Sequence, residues 1–260
     1  MISTETSELR SKVDKYVERV ENNIDSDPES FLVASAAAHA GLYKVLLDEP
    51  DEATQWFEIA ADHHRRRAHR IIERAESGSD LRSVPTPLGA ALRMATLSGN
   101  RDLQQDVAID ALEIDRKYPY VIEHTGEEVT VDIDADRYHH LNTVASLVAG
   151  DDSITRTHLA ELHTVLDTCD TLAAHQQRFA AVGRVADGLL ESDIDEIDAG
   201  LNELLAHHRQ HMIRGDVPET DDEAICVEAT ALGILACHRG QSPAFESEFI
   251  PARLVDILTQ

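Results

Sequence analysis

The side chains best suited to metal chemistry form a stripe at Glu203, His207 and His211. Their four-residue spacing places all three on one face of a helix, and two histidines at positions i and i+4 can chelate zinc. The stripe lacks the H-E-x-x-H order that places a general base beside the metal. We therefore predict a solvated polar face here, and zinc binding by these three residues is the alternative.

A second histidine-rich run, HHRRRAHR, contains His63, His64 and His69. Because its neighbours are so highly charged, we predict that this run lies at the surface, although His64 also falls on the apolar stripe of the predicted third helix. The arginines of this segment reverse the sign of an acidic chain locally and should pair with carboxylates of neighbouring helices. Contact with an anion or a partner protein is the alternative. These arginines are Arg65, Arg66, Arg67, Arg70 and Arg74.

Other chemistry-bearing patterns do not occur in the sequence. It contains no G-x-G-x-x-G after a strand, no phosphate loop and no G-x-S-x-G nucleophile turn. Cys169, Cys226 and Cys237 are isolated and odd in number, which is typical of reduced packing residues. We therefore predict a protein without catalytic residues, cofactor or metal, and thus not an enzyme. A metal-dependent hydrolase remains a third alternative.

The charge balance excludes some partners. With 49 acidic and 23 basic residues, the net charge is −26, and such a chain repels nucleic-acid phosphates and anionic lipid. The acidity has two competing explanations. One is adaptation to a salt-rich cytoplasm, where the Debye length falls to about 3 Å near 1 M salt. The other is an acidic face that engages a basic partner, such as a nuclease toxin.

Length and pattern predict a single all-α domain over residues 1–260, built as an irregular α-hairpin array related in shape to tetratricopeptide solenoids. Predicted turns at 98–100, 150–152 and 191–193 lie roughly 40 to 50 residues apart, the range of helix-pair repeats. N-terminal helices should fill 1–117, with C-terminal helices over 137–260. We also predict a long third helix that ends at Gly78. With no apolar signal core and no apolar run of about 18 residues, we expect a cytoplasmic protein.

One segment departs from the helical pattern. Between 118 and 134, the residues Val129, Val131 and Ile133 alternate with polar ones, and Thr125-Gly126 is suited to a turn. A small β-hairpin or an ordered loop is therefore expected as an insertion over 118–136.

The C-terminal part should hold the most buried helix. Thr220 and Glu223 have capping-box spacing, which predicts one helix that starts near Asp221. From Ala224 to Ala236 this helix is apolar on nearly every side, as in a core. The preceding helix should lie on the core through Leu201, Leu204, Leu205, His208 and Met212.

The stretch from 204 to 255 resembles the C-terminal half of the Imm49 family, predicted immunity proteins of bacterial polymorphic toxin systems. Its pattern is L-L-x-x-H, an Ala/Leu-rich helix that closes on Arg-Gly, and S-x-F-I-P-x-x-L-V. The motif residues are Leu204, Leu205, His208, Leu232, Leu235, Arg239, Gly240, Phe249, Pro251 and Leu254.

The resemblance implies an all-helical protein that binds and neutralises a cognate toxin without catalysis, with the motif residues in structural roles. Interface size is compatible, because a curved helical array can offer the roughly 800 Å² per partner of a standard interface. A helical-repeat scaffold or regulator with another protein partner is the alternative.

Overall fold

The computed structural model describes residues 6–27, 29–75, 78–122, 127–213, 220–244 and 247–260. Within these ranges the chain is all-α with one small antiparallel hairpin, as predicted. No helix in them is both long and apolar enough to span a membrane. The elements are α1 (Thr6–Asn23), α2 (Phe31–Leu46), α3 (Pro50–Arg74), α4 (Gly78–Ser83), α5 (Pro85–Ser98), α6 (Arg101–Leu112), β1 (Lys117–Ile122), β2 (Glu127–Asp132), α7 (Ala135–Ala149), α8 (Asp152–Asp167), α9 (Ala174–Glu191), α10 (Ile194–His211), α11 (Asp221–Ala224), α12 (Val227–His238) and α13 (Ala252–Thr259).

Several consecutive helices pack against each other across short turns, among them α5 and α6, α7 and α8, and α9 and α10. The three predicted turns are confirmed, and each follows one scheme: a residue with positive φ ends a helix, and the next residue accepts a hydrogen bond from the backbone of the following helix. Such local chemistry needs no tertiary contact. The pairs are Gly99 and Asn100, Gly150 and Asp151, and Ser192 and Asp193.

Helices α9 and α10 pack closely against each other. Gly200 lies so close to α9 that a Cβ there would sit 2.7 Å from a methyl group of Val185 and 2.8 Å from its backbone nitrogen. A side chain at this position would force the helices apart, so the glycine fixes how α9 lies on α10. Helix α9 also packs against α7 and α8.

The β-hairpin expected near 118–134 is confirmed. Strands β1 and β2 pair antiparallel, with Tyr118 opposite Val131 and Tyr120 opposite Val129. Val131 and Ile133 are buried while their neighbours are exposed, which is the burial expected from the alternating pattern. The predicted Thr125-Gly126 turn lies outside the described residues.

The core is centred on α12, as predicted. This helix is buried on nearly every side and packs against α5, α10 and α13. Small and aliphatic side chains fill the contacts, which agrees with the scarcity of aromatic residues in the sequence. Fully buried examples are Ala229, Ile234 and Ala236.

Two predicted helix boundaries are wrong. Gly78 does not end α3, which stops at Arg74; it begins α4, where a Cβ would lie 2.9 Å from a methyl group of Val131 on β2. The helix predicted from Asp221 onward is broken into α11 and α12. The break has a tertiary cause, because the backbone is extended at Ile225 and the next N–H donates to a distant carbonyl.

That carbonyl belongs to the C-terminal tail, residues 247–260. The N–H of Cys226 donates to the carbonyl of Phe249 at 2.9 Å. Farther along the tail, Arg253 donates to the carbonyl of Asp48 at 3.1 Å, between α2 and α3. The tail therefore joins the last helices to the first ones.

Three burial predictions are also wrong. His63 and His64 are buried, at 3 % and 7 % exposure, because the apolar stripe of α3 faces the core at these positions. Met212, predicted on the inner face, is 44 % exposed, because α10 ends one residue before it. His69 is exposed as predicted. The three cysteines are unpaired.

Candidate functional site

The stripe of possible zinc ligands has its polar atoms engaged elsewhere. Glu203 accepts a hydrogen bond from Arg184 at 2.5 Å. Nε2 of His207 lies 2.8 Å from the carbonyl of Ala174, so this nitrogen carries the proton and donates. The rings of His207 and His211 lie 4.4 Å apart. The three side chains share a helix face, but their ligand atoms do not converge on one point.

The apolar residues of the Imm49-like motif lie inside the protein around α12. His208 is buried with them: its Nε2–H donates to the carbonyl of Glu223 at 2.9 Å, and its ring lies 5.3 Å from that of Phe249. Leu205 is half-buried. The buried apolar motif residues are Leu204, Leu232, Leu235, Phe249 and Leu254.

The remaining motif residues lie at the ends of helices. Arg239 donates to the carbonyl of Leu147 at 3.2 Å and also bonds Asp152, which ties the end of α12 to the α7–α8 turn. Gly240 has a φ of 81°, a conformation that favours glycine. Pro251 stands at the N-cap of α13. Every motif residue thus has a packing or turn contact within the fold.

A carboxylate stands in the middle of the apolar helix α12. Glu228 is 8 % exposed, and one of its oxygens lies 3.1 Å from a guanidinium nitrogen of Arg93 on α5 and 3.8 Å from one of Arg178 on α9. Burial acts to raise the pKa of Glu228, but the two arginines outweigh it and hold the pKa below its ordinary value. Glu228 is therefore an ionised group shared by two cations.

Arg93 and Arg178 also line a cleft of about 150 Å³ between α5, α7 and α9, which we name the arginine cleft. Each of the three helices contributes side chains to the lining. Among the described residues, no carboxylate belongs to the lining. The lining residues are Pro85, Thr86, Gly89, Arg93, Arg137, His140, His175, Arg178 and Phe179.

The floor of the arginine cleft is an aromatic pair. The ring of His140 stacks on that of Phe179, with centroids 4.0 Å apart and planes inclined by 21°. Burial lowers the pKa of His140 to about 3; the carboxylate of Glu228 acts to raise this pKa, and the positive charges of Arg178 and Arg93 act to lower it. At neutral pH the imidazole is therefore uncharged.

Two buried nitrogen atoms at the arginine cleft have no hydrogen-bond partner among the residues that the structure describes. They are Nε2 of His140 and Nε of Arg178. An arginine Nε always carries a proton and can only donate. A buried donor without an acceptor costs about 1 to 3 kcal/mol, and both atoms belong to residues that line the cleft.

The mouth of the arginine cleft carries further charged groups. Arg137 is 41 % exposed in its side chain and pairs with Asp134 at 3.6 Å. Asp136 is buried and accepts a hydrogen bond from Gln176 at 3.1 Å; Nε2 of His175 lies 3.2 Å from the same oxygen. These pairs fix the side chains around the opening without placing a carboxylate in the lining.

The other side of the Glu228 pair opens into a separate pocket of about 250 Å³. Arg93, Arg178 and Glu228 form the wall between this pocket and the arginine cleft. The pocket has a mixed lining and includes two carboxylates, those of Asp222 and Glu228. The two cavities thus differ in charge although they share a wall.

Near this pocket, His39, Asp221 and Asp222 bring potential metal ligands within 4.8 Å of one another. Nδ1 of His39 lies 2.6 Å from Asp221 and 3.9 Å from Asp222. Burial opposes protonation of His39, but Asp221 and Asp222 raise its pKa above the ordinary value. Tyr16 stacks on the imidazole at 4.9 Å. The raised pKa favours an ion pair between His39 and Asp221, which is consistent with the short contact.

The sequence contained one visible signal of the arginine cleft. Glu228 interrupts a helix that is otherwise apolar on nearly every side, and such a residue requires a counter-charge when it is buried. Its partners could not be identified in advance, because Arg93 and Arg178 come from other helices far away in the chain. The densest histidine and arginine run of the sequence lies elsewhere, on α3.

Comparison with known proteins gives no match: no family model, no curated protein and no solved structure is similar to this chain. The function must therefore be argued from the residues of this chain.

Proposed function

We propose that this chain is an immunity protein that neutralises a cognate toxin by binding it, without catalysing a reaction. Two features support the proposal: the Imm49-like pattern of its C-terminal part, and the charge that its surface presents. The charge is the observation that carries it.

Most of the acidic excess remains available to a partner. The net charge is −26, and many of the basic side chains are held in pairs with carboxylates of the same chain. On α3, for example, Arg65 contacts Asp106 and Asp110, and Arg66 contacts Asp62. A protein that approaches this surface therefore meets carboxylates, and a basic one is attracted.

One acidic feature of the surface is a groove of about 620 Å³ between α3 and α6, which we name the acidic groove. Its one cationic lining residue, Arg65, is already held by Asp106 and Asp110. A basic segment of a toxin has the complementary charge for this groove. The lining residues are Gln55, Glu58, Ile59, Asp62, Arg65, Asn100, Asp102, Leu103 and Asp106.

The alternative is a scaffold or regulator that offers the same surface to a different protein. Stacked helical hairpins suit either role, since both need an extended rigid face. High-salt adaptation would also produce acidity, but it requires no single groove to be more important than another. The identity of the partner and the contribution of the acidic groove separate these possibilities.

The test begins with a search for a toxin gene next to the gene of this chain. We expect co-expression of this chain to restore growth of cells that produce the toxin, and the two proteins to form a stable complex. Failure to bind and to rescue would overturn the immunity proposal. Co-purification with an unrelated complex would favour the scaffold.

Charge-neutral variants then locate the contact. Neutralising Glu58, Asp102 and Asp106 should weaken toxin binding at least about tenfold at low salt, mainly through slower association. The matched control neutralises three exposed carboxylates of α1, which are Asp14, Glu18 and Glu21. Equal losses in both variants would exclude a specific role for the acidic groove and leave only a general charge effect.

A further inference from the structure

The arginine cleft reverses the charge of the molecule at one place. Its lining includes three guanidinium groups, from Arg93, Arg137 and Arg178, in a chain with a net charge of −26. Long-range repulsion by the acidic surface disfavours anions in general. An anion that enters this cleft must therefore be held by short-range contacts, and the lining is suited to supply them.

In the part of the chain that the structure describes, the lining of the cleft contains no carboxylate, although Glu228, Asp134 and Asp136 lie around it. Arg93 and Arg178 share a single oxygen of Glu228, on the side away from the lining. Arg137 has only a 3.6 Å contact with Asp134, whose side chain is 59 % exposed. Two of the three arginines thus lie against one buried counter-charge, and the third projects at the mouth.

The buried nitrogens without partners point to the same conclusion. His140 is 94 % buried, being 6 % exposed, and its Nε2 has no acceptor or donor among the described residues. Nε of Arg178 is also buried and without a partner there. The neutral imidazole can present an N–H, so both residues bring an unsatisfied N–H donor to the wall of the cleft.

We propose that the arginine cleft binds a phosphate group, either as inorganic phosphate or as the phosphate of a small metabolite. Guanidinium groups match phosphate oxygens with paired N–H donors. Donors here come from three helices and so surround the cleft from several sides. This suits a tetrahedral anion with four oxygens better than a planar carboxylate with two.

The size of the cleft limits the ligand. A volume of about 150 Å³ is several times the roughly 30 Å³ that one water takes up in the liquid. It is below the roughly 300 Å³ at which pockets for drug-sized ligands begin. The cleft therefore accommodates a phosphate with few further atoms, and a nucleotide would have to leave most of its structure outside.

The proposal is independent of toxin binding and is tested on the isolated full-length chain. Inorganic phosphate is titrated by calorimetry and by thermal unfolding, at constant ionic strength set with potassium chloride. We expect saturable one-to-one binding and a rise in the melting temperature. Acetate and glutarate are titrated in the same way to test for carboxylate binding. Glucose 6-phosphate is titrated to test for binding of a small phosphate monoester.

Variants identify the cleft as the site. Arg137→Gln is the main one, because its exposed side chain can be replaced without unfolding the protein, and we expect at least about a tenfold loss of phosphate affinity. Arg156→Gln is the matched control, since this arginine is exposed, paired with Glu191 and remote from the cleft lining. Its phosphate affinity should not change.

Glu228→Gln should change the phosphate affinity in the opposite direction to Arg137→Gln. Removing this carboxylate leaves Arg93 and Arg178 without their shared counter-charge, so the variant should be less stable yet bind phosphate more tightly. Phosphate should then raise its melting temperature more than that of the unaltered protein. If arginines serve only to neutralise Glu228, phosphate will have no effect on either protein, and the proposal is overturned.

Two further results would also overturn the proposal. One is tighter binding of acetate or glutarate than of phosphate, which would identify a carboxylate site. The other is an unchanged phosphate affinity in Arg137→Gln, which would place the anion elsewhere on the surface.

Discussion

Two arginine-rich regions of this protein differ in how their charge is neutralised. On α3, Arg65 lies between the carboxylates of Asp106 and Asp110. In the arginine cleft, Arg93 and Arg178 share the one carboxylate of Glu228. The first region has more carboxylates than its arginine needs, and the second has fewer.

The comparison shows that charge density along the sequence is a poor guide to local potential. The α3 run has the highest density of arginine in the chain, yet Arg65 and Arg70 meet acidic neighbours on α6 and before α2. The cleft arginines are separated by tens of residues and are brought together only by packing. Excess positive charge therefore occurs where the sequence gives little sign of it.

The largest expected effect is on stability after removal of one carboxylate from each region. Glu228→Gln should lower the free energy of unfolding by about 3 kcal/mol, because it leaves largely buried cations uncompensated. Asp106→Asn should cost less than about 1 kcal/mol, since that side chain is 58 % exposed. Urea unfolding at fixed salt measures both. Similar losses in the two variants would contradict the distinction between the regions.

An intermediate effect should appear in the pH dependence. His140 has a folded-state pKa of about 3 against an ordinary value of 6.5, so below pH 6.5 the unfolded chain binds a proton that the folded one does not. Stability is thus fully present above pH 6.5 and falls as the pH is lowered towards 3. Between pH 6 and pH 4 this group alone removes roughly 2 to 3 kcal/mol.

The measurement for this prediction is urea unfolding across that pH range. His140→Gln should flatten the pH dependence by the stated amount. His69→Gln, which replaces an exposed histidine of the α3 region, is the control. A profile that is the same for His140→Gln and the unaltered protein would show that the imidazole is not held neutral by burial.

The smallest expected losses of stability are those of single arginine variants within the α3 region. Arg65→Gln should cost about 1 kcal/mol, because the guanidinium makes two contacts with Asp110, which is 14 % exposed. Arg66→Gln should cost only a few tenths, since its pair with Asp62 is an exposed i,i+4 contact on one helix. Unfolding curves of the two variants check the order. A larger loss in Arg66→Gln would reverse it.

Features set by local chemistry were predictable from the sequence. The turns at Gly99 and Gly150 follow from residues that favour positive φ, and the hairpin follows from alternation at Val129 and Val131. The burial of α12 follows from its composition, because no other environment suits a helix that is apolar all round.

Features set by distant contacts were not predictable. The break between α11 and α12 depends on a hydrogen bond from Cys226 to Phe249, so local sequence, which favours a continuous helix, gives no warning of it. The surface position predicted for His63 and His64 was wrong because neighbouring charges were given more weight than the helical period. Glu228 was visible as an exception, but its two arginine partners were not.

The tail that joins Cys226 and Asp48 has a consequence for biosynthesis. A chain leaves the ribosome N-terminus first, at roughly 5 to 20 residues per second, so the tail emerges after both residues that it contacts. Until the tail is synthesised, the carbonyl of Asp48 lacks its bond from Arg253, and the N–H of Cys226 lacks its acceptor at Phe249. During this interval the surfaces of the first helices and of α12 that the tail covers are exposed. A chaperone that binds exposed apolar surface would therefore be most useful at this stage.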